Sequence, residues 1–276
     1  MKLAILGYST VNIGDDMQSL ITSYLLPNID YIIERDNYDN IYDYETGNKI
    51  EKLNEKVILI MNCWLIHGPN YSINNIKFPI KNENIIPLYI STHISPKVNE
   101  LLSDKCINDY IRNSPFYTRD MWTYNLLKSK NVECYYFGCM TQLVRKEYIK
   151  QNIDKNDLTI LVECDTDYNE KYNNENPTEK IKIVTHFPLG LNKLGPKERM
   201  NEIEKLLVLY AGANKIITTR LHCFLPCRAL GINVTYIGPI DARTNDLVNN
   251  TPNTEELLKI FNRVLNDKIV KCTQSH

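Results

Sequence analysis

The feature that most constrains the fold is a regular alternation of short apolar runs with longer amphipathic segments. KLAIL (2–6) and KVILIMN (56–62) are two such runs, and both are rich in aliphatic residues. DDMQSLITSYLL (15–26) follows the first run and carries its apolar residues at helical spacing. Strands that are apolar along their whole length are buried on both faces, as in parallel sheets covered by helices. The alternation therefore predicts an α/β fold with mostly parallel sheets.

The alternation is interrupted by a polar segment at 145–157 and then restarts. We therefore expect two Rossmann-like domains, residues 1–145 and 146–276. The predicted strands are 2–6, 31–34, 56–62, 86–91, 133–139, 158–164, 180–187, 214–219 and 233–238. The predicted helices are 15–26, 95–104, 118–131, 196–213, 221–231 and 254–267, with Ser95 and Thr118 as N-caps of the second and third. The polar stretch 165–180 is predicted to be a mobile loop.

Composition excludes several classes of partner. The 276 residues carry a formal net charge of −1, with 43% hydrophobic and 24% charged residues, as in ordinary folded proteins. No global positive potential would attract nucleic acid or an anionic membrane, so any anion site must be local. No segment approaches the roughly 20 apolar residues that span a bilayer, and the N-terminal sequence does not resemble a signal peptide. We expect a cytoplasmic protein that binds no nucleic acid.

The eight cysteines are expected to be free thiols, as is usual in the cytosol. Cys134 with Cys139, or Cys223 with Cys227, can alternatively be interpreted as zinc half-sites. Neither pair has the CxxC spacing, and several cysteines lie in apolar runs, so no metal and no cofactor are predicted. The Asp15–Asp16 pair is the remaining place where a metal ion could bind.

The stretch IITTRLHCFLPCRALGINV (216–234) contains the strongest candidate site. Arg220 and His222 follow a predicted buried strand and stand at the start of a predicted helix. Ligands of parallel sheets bind outside the carboxyl ends of the strands, and a helix N-terminus favours an anion. The pattern predicts a site for a phosphate or a carboxylate, which an arginine can hold through two hydrogen bonds. The alternative is an arginine paired with a neighbouring carboxylate and a histidine bonded within the fold.

The segment STVNIGDDMQ (9–18) takes the position of a phosphate-binding loop in the first half. It has a single glycine, Gly14, and therefore neither a GxGxxG nor a P-loop pattern. Asp15 and Asp16 would repel a phosphate, whereas an aspartate here suits a sugar hydroxyl, as a hydrogen-bond acceptor or as a base. The alternative is an ordinary helix N-cap.

Further candidates are basic residues at helix starts and strand ends. Arg119 is expected in the first turn of a helix, where a positive charge opposes the helix dipole, and this favours a ligand. His67, His93 and His186 each follow a predicted buried strand, so all three can face a central cleft. For each histidine the alternative is a structural role within the fold.

Three segments of the sequence together resemble the polysaccharide pyruvyl transferase family. They are NIGDDMQSLI, FYTRDMWTYNLLKSKNVECYYFG and ITTRLHCFLPCRALGINV, and the resemblance spans roughly residues 5 to 240. It implies two Rossmann-like domains arranged as in GT-B glycosyltransferases. It also implies transfer of pyruvate from phosphoenolpyruvate to a sugar as a ketal.

Carried onto matching positions, the resemblance implies that Arg220 and His222 bind phosphoenolpyruvate, with Arg119 as a second anion contact. His222 and Asp15 are the expected catalytic residues, Asp15 near the acceptor. The remaining expected substrate-binding residues are Asn12, Gly14, His67, His93 and His186. Residues 1–145 are the expected acceptor side and residues 146–276 the donor side. The expected partners are phosphoenolpyruvate and a saccharide acceptor, and a homo-oligomer is left open.

The sequence departs from the family at one place and leaves two other functions open. NCWLIHGPN (62–70) stands where the family commonly has a glycine-rich turn, so Trp64 and His67 are expected to reshape the pocket. The first alternative function is a nucleotide-sugar-dependent glycosyltransferase of the same architecture. The second is a catalytically silent homologue that binds a sugar or an anion.

Overall fold

The computed structural model describes residues 1–65, 80–95, 115–242 and 244–274. Within them the chain is an α/β protein in which all but two of the described strand pairs are parallel. This confirms the expected fold class. The described strands are β1 (Lys2–Gly7), β2 (Tyr31–Glu34), β3 (Ile41–Asp43), β4 (Lys49–Ile50), β5 (Val57–Ile60), β6 (Trp64–Leu65), β7 (Ile85–Leu88), β8 (Ile90–Ile94), β9 (Phe116–Thr118), β10 (Cys134–Tyr136), β11 (Leu158–Val162), β12 (Lys180–Val184), β13 (Lys215–Thr218) and β14 (Asn233–Tyr236). The described α-helices are α1 (Gly14–Leu25), α2 (Met121–Ser129), α3 (Thr166–Glu175), α4 (Pro196–Gly212), α5 (Leu221–Ala229), α6 (Asn245–Asn249) and α7 (Thr254–Gln274).

Among the described strands, ten form two sheets in the first half of the chain. One sheet has the order β4–β3–β2–β1–β5–β7, and the other has the order β10–β9–β8–β6. β1 and β5 are buried along almost their whole length, as their aliphatic sequences require. A bulge at Ser91, which has a positive φ of 57°, shifts the register between β8 and β9.

The described strands of the second half form one parallel sheet in the order β12–β11–β13–β14. The carboxyl ends of its strands are level, because Val162 pairs with both Val184 and Thr218, and Thr218 pairs with Tyr236. The loops that follow these strands therefore emerge at one edge of the sheet.

A continuous apolar cluster joins the two halves. It contains Met17 and Ile21 of α1, Ile203 and Leu207 of α4, and Phe261 of α7. All the strands before residue 145 lie in the first two sheets, and those after it lie in the third. The domain limits 1–145 and 146–276 remain a prediction, because this cluster packs the two halves into one interior.

The stretch 165–180 is not the mobile loop that its polar composition suggested, since α3 occupies Thr166–Glu175. The side chain of Asp165 caps the helix by accepting from Tyr168 N–H at 2.8 Å. Tyr168 and Tyr172, one helical turn apart, stack with ring centroids 6.2 Å apart. The cap and this pair stabilise a helix that has few other apolar residues.

Helix α2 begins at Met121, three residues later than expected, and its N-cap is Asp120 rather than Thr118. Asp120 accepts a hydrogen bond from Thr123 N–H at 2.9 Å, whereas Thr118 ends β9. Arg119 consequently precedes the helix and does not lie in its first turn. The predicted helix 95–104 lies outside the described residues except for Ser95.

Two expectations concern membranes and metals. No described helix combines the length and the apolarity that crossing a membrane requires. Within the described ranges, no group of three or more histidine, cysteine, aspartate or glutamate residues could hold a metal ion. The seven described cysteines are free thiols.

Candidate active site

A cleft of about 310 Å³ lies where the carboxyl ends of strands from the two halves meet. Parallel strands of both halves therefore face one opening, the arrangement that the resemblance implies. Seven of the expected site residues line this cleft: Asn12, Gly14, Asp15, Arg119, His186, Arg220 and His222.

Arg220 is the N-cap residue of α5 and lies two residues after the end of β13. Its carbonyl accepts hydrogen bonds from Cys223 N–H and Phe224 N–H, which fixes the backbone at the start of the helix. Its guanidinium lies 4.8 Å above the ring of Phe187, and Nη2 donates to Glu163 Oε2 at 3.3 Å. Nε is buried and has no acceptor among the described residues. Arg220 thus has a carboxylate partner, and its side chain is still 39% exposed, so part of the guanidinium remains available for a ligand.

His222 lies in the first turn of α5 and lines the same cleft as Arg220. The first backbone N–H groups of a helix carry a partial positive charge and have no acceptor within the helix. The helix start, the guanidinium and the imidazole together make this wall of the cleft suitable for an anion.

Arg119 approaches from the opposite wall and is only 3% exposed. Nη1 donates to Gln18 Oε1 at 3.3 Å, and Nε lies 3.8 Å from Asp120 Oδ2. Nε has no hydrogen-bond acceptor in the described structure. A buried cation with an incomplete set of acceptors is stabilised by an anionic ligand.

The loop after β1 is shaped by Asn12, Gly14 and Asp15. Asn12 Oδ1 accepts from Gly14 N–H at 3.0 Å. A Cβ on Gly14 would lie 2.8 Å from His186 Nδ1, so the close approach of the two halves requires glycine here. Asp15 Oδ2 accepts from Thr10 Oγ1 at 3.1 Å, and Asp15 lines the cleft. The N-cap of α1 is Ile13, without a side-chain cap, so neither aspartate serves as the cap.

Asp16 does not face a ligand, because Arg199 of α4 occupies both of its oxygens. Nε donates to Oδ1 at 3.1 Å and Nη2 to Oδ2 at 2.6 Å, and both side chains are buried. Burial raises the pKa of Asp16 to about 6, and the hydrogen bonds and charge of Arg199 oppose this rise. The pair joins the halves and excludes Asp16 as a metal ligand.

His186 lies at the boundary of the two halves and is 1% exposed. Its carbonyl accepts from Ile13 N–H at 2.8 Å, and its Nε2 lies 2.9 Å from the hydroxyl of Tyr210. Burial lowers the pKa of His186 to about 4, a shift that Arg220 reinforces and Glu163 opposes. A neutral imidazole at this position contributes hydrogen bonds and shape to the cleft rather than charge.

His93 does not line the cleft. It is buried, its Nδ1 lies 2.6 Å from Asp120 Oδ2, and its ring meets the edge of Trp64 at a centroid distance of 5.3 Å. The structure therefore places His93 behind the cleft wall, where it contacts neighbours of Arg119. Trp64 itself lines the cleft, whereas His67 lies outside the described residues.

One protein-family model covers most of the chain. A model described as polysaccharide pyruvyl transferase matches residues 12–241, well over half of the chain. The chain belongs to the polysaccharide pyruvyl transferase family. The resemblance carried by the three segments is confirmed, and the protein is a transferase of this family.

No curated protein matches the chain. Among solved structures, it is similar to the crystal structure of Methanocaldococcus jannaschii UDP-GlcNAc 2-epimerase in complex with UDP-GlcNAc and UDP. The sequence identity is 14% and the TM-score 0.45, with 96% of this chain and 93% of that chain covered. At this level of similarity we transfer neither the fold nor the ligands of that enzyme to this pyruvyl transferase family member.

Sequence reasoning missed three residues that support the cleft of this family member. Glu163 holds Arg220, Gln18 holds Arg119, and Arg199 holds Asp16. Gln18 carries no motif, and Arg199 looks like one of many charges on an amphipathic helix. Glu163 was hidden because the predicted strand 158–164 included it, whereas the observed strand β11 ends at Val162 and leaves Glu163 at the strand end.

Proposed function

We propose that this protein transfers pyruvate from phosphoenolpyruvate to a sugar hydroxyl pair, forming a ketal, and that the cleft is its active site. The observation that carries the proposal is the meeting of two arginines from opposite walls: Arg119 precedes α2, and Arg220 begins α5. Each has a buried Nε–H without an acceptor among the described residues. Phosphoenolpyruvate carries a phosphate and a carboxylate, so it offers one anionic group to each wall.

The charges of the other cleft residues favour the same donor. Asp16 is held by Arg199, which leaves Asp15 as the aspartate that lines the cleft. Asp15 belongs to the first half, whereas Arg220 and His222 line the wall of the second half. This distribution suits a donor on the cationic wall and a polar acceptor beside Asp15.

The chemistry requires one proton to be delivered and two to be removed. Protonation of the terminal carbon of phosphoenolpyruvate makes its central carbon electrophilic, and a sugar hydroxyl attacks that carbon and loses its proton. The carbon–oxygen bond to phosphate then breaks, a second hydroxyl attacks and loses its proton, and the ketal and inorganic phosphate remain. In this proposal His222 delivers the proton to carbon and Asp15 removes the proton from the hydroxyl. Imidazole and carboxylate groups perform such transfers near neutral pH.

The acceptor side of the cleft is formed by Asp15 and Trp64. An indole ring offers a flat apolar surface with a polar edge, which suits the C–H face of a sugar ring. Trp64 is packed edge-on against His93, so its ring orientation is fixed from behind. Asp15 then lies beside a sugar hydroxyl rather than beside the phosphate.

Calorimetry with phosphoenolpyruvate tests the donor assignment. The wild-type protein is expected to bind it, and Arg220→Ala is expected to weaken binding by roughly 100-fold, because a charge-assisted pair of hydrogen bonds is lost. Arg145→Ala is the matched control: Arg145 is similarly exposed and also pairs with a carboxylate, Glu255, at 2.6 Å, but it lies outside the cleft. Unchanged binding in Arg220→Ala would overturn the donor site.

Thermal shift separates the alternative functions. A rise in Tm with UDP and none with phosphoenolpyruvate would favour a glycosyltransferase instead. Binding of phosphoenolpyruvate with no phosphate released across a panel of saccharides would favour a silent homologue. The proposal predicts a Tm rise with phosphoenolpyruvate and acceptor-dependent release of phosphate.

A further inference from the structure

Glu163 is a cleft neighbour to which neither the motifs nor the proposed chemistry gives a role. It follows β11 at the carboxyl edge of the third sheet, and its backbone φ is 54°. This left-handed region is disfavoured for residues with a Cβ, and glycine and asparagine occupy it more readily. Backbone preference therefore does not explain why a glutamate stands here, and its side chain has to be considered.

The backbone and side chain of Glu163 connect the ends of three adjacent strands. Its N–H donates to the carbonyl of Val184, and its own carbonyl accepts from Thr219 Oγ1 at 2.8 Å. Oε1 accepts from Thr185 Oγ1 at 2.5 Å and from His186 N–H at 2.7 Å. Three of the four contacts come from residues that lie one or two positions after the end of β12 or β13, so Glu163 is fixed in position before any ligand arrives.

The second carboxylate oxygen is directed to the cleft arginine. Oε2 accepts from Arg220 Nη2 at 3.3 Å, and the Glu163 side chain is 16% exposed against 39% for Arg220. Arg220 is thus the more exposed partner, and Glu163 is the one with more hydrogen bonds to its side chain. Burial alone raises the pKa of the Glu163 carboxyl. The hydrogen bonds from Thr185 and His186 and the charge of Arg220 lower the pKa by more than burial raises it, so the pKa lies below its usual value. The carboxylate is therefore ionised beside the guanidinium.

We propose that Glu163 is a positioning residue of the donor site, because its carboxylate orients the Arg220 guanidinium into the cleft. This inference rests on the proposed binding of phosphoenolpyruvate. The ion pair fixes Nη2 at one edge of the guanidinium. The rest of the guanidinium, on a side chain that is 39% exposed, remains for the donor. A guanidinium that is already oriented loses less conformational freedom when the ligand binds. This increases affinity without any contact between Glu163 and the ligand.

The test is a double-mutant cycle read by calorimetry with phosphoenolpyruvate, on Glu163→Gln, Arg220→Gln and the double variant. Glutamine has one carbonyl oxygen, so when that oxygen accepts from Thr185 and His186 the amide N–H₂ is turned toward Arg220. Glu163→Gln is expected to raise Kd by roughly 10- to 100-fold with little change in Tm. The double variant is expected to bind no more weakly than Arg220→Gln, because Glu163 acts through Arg220.

Glu163→Gly and Glu179→Gln make the test independent of folding. Glycine suits the φ of 54° but removes the acceptor of Thr185 and His186, so Glu163→Gly is expected to lower Tm only slightly and to lose affinity as Glu163→Gln does. Glu179 also accepts from two hydroxyl groups, of Thr159 and Tyr172, but it does not line the cleft. Glu179→Gln is expected to bind phosphoenolpyruvate as the wild type does.

The outcomes separate this inference from the proposed function. Wild-type affinity in Glu163→Gln and Glu163→Gly, or losses that multiply in the double variant, would overturn the role of Glu163 and leave the donor site standing. A wild-type protein that does not bind phosphoenolpyruvate would overturn the proposed function, and the role of Glu163 with it.

Discussion

The loops after β1 and β13 hold equivalent places in the two halves, but the molecule uses them differently. Each connects the carboxyl end of a parallel strand to the N-terminus of a helix, and each lines the cleft. The first loop is bonded to the opposite half, through Ile13 N–H to the carbonyl of His186 and through Asp16 to Arg199. The second loop is fixed within its own half, where Arg220 contacts Glu163.

The difference separates stability from ligand binding. Buried groups of the first loop hold the two halves together and allow little movement at Asn12, Gly14 and Asp15. The second loop presents a half-exposed guanidinium that is available to a ligand. Substitutions of the groups that bond the first loop to the other half should therefore act mainly on folding, and substitutions in the second loop mainly on binding.

The largest effect is expected from Asp16→Asn. The change leaves the guanidinium of Arg199 buried at 1% exposure without its carboxylate. The free energy of unfolding should fall by about 3–5 kcal/mol in urea denaturation, because an unpaired buried charge is costly. Asp157→Asn is the control, since its ion pair with Lys180 is more than two-thirds exposed on both sides. The control should lose at most about 1 kcal/mol of the free energy of unfolding. Equal losses in the two variants would mean that the buried ion pair between the halves stabilises the protein no more than an exposed ion pair does.

A pH-dependent loss of stability is the next largest effect. The pKa of His186 falls to about 4 in the folded protein because burial disfavours the imidazolium, whereas an unfolded chain has the ordinary histidine value. The unfolded state therefore binds the proton more readily between these two values. The His186 contribution is present above about pH 6.5 and is lost as the pH falls towards about 4.

This loss should amount to about 2–3 kcal/mol, measured as the free energy of unfolding in urea across that pH range. His186→Gln removes the titrating group and should show a correspondingly flatter slope. The same slope in both proteins would mean that His186 is not held neutral at the joint.

Gly14→Ala should have a smaller effect on stability. The added Cβ would lie 2.8 Å from His186 Nδ1, so the ring or the first loop must shift. We expect a loss of about 1–3 kcal/mol in the free energy of unfolding. Gly195→Ala is the control, because its Cβ would meet Glu198 Oε2 at an ordinary 3.6 Å. If Gly14→Ala costs as much in a His186→Ala background as in the wild type, the contact between the halves is not the reason for the glycine.

The smallest stability effect is expected from Arg220→Ala. Its side chain is 39% exposed and makes one ion pair at 3.3 Å. The free energy of unfolding in urea should change by less than about 1 kcal/mol, as for other exposed ion pairs. A loss as large as that of Asp16→Asn would make Arg220 a structural residue and would contradict the division of roles between the two loops.

Local sequence patterns predicted the parts of this molecule that depend on neighbouring residues. Arg220 and His222 could be placed because a buried strand, a charged pair and a helix start are contiguous in the chain. Arg199 could not be paired with Asp16, since 183 positions separate them and only the packing of α4 on α1 brings them together.

Two errors in the predicted secondary structure also have local causes. Helix α3 was hidden by a polar composition, although Asp165 and the tyrosine pair one turn apart already indicated a capped helix. The start of α2 was misplaced because Thr118 and Asp120 are both good N-cap residues, and only hydrogen bonding shows that Asp120 is used.

A crystal structure of the protein with phosphoenolpyruvate bound tests the central claim most directly. We predict one ligand in the cleft, with its phosphate and its carboxylate contacting different arginines, Arg119 on one wall and Arg220 on the other. A ligand that contacts a single wall, or that binds outside this cleft while Arg220 stays on Glu163, would contradict the account.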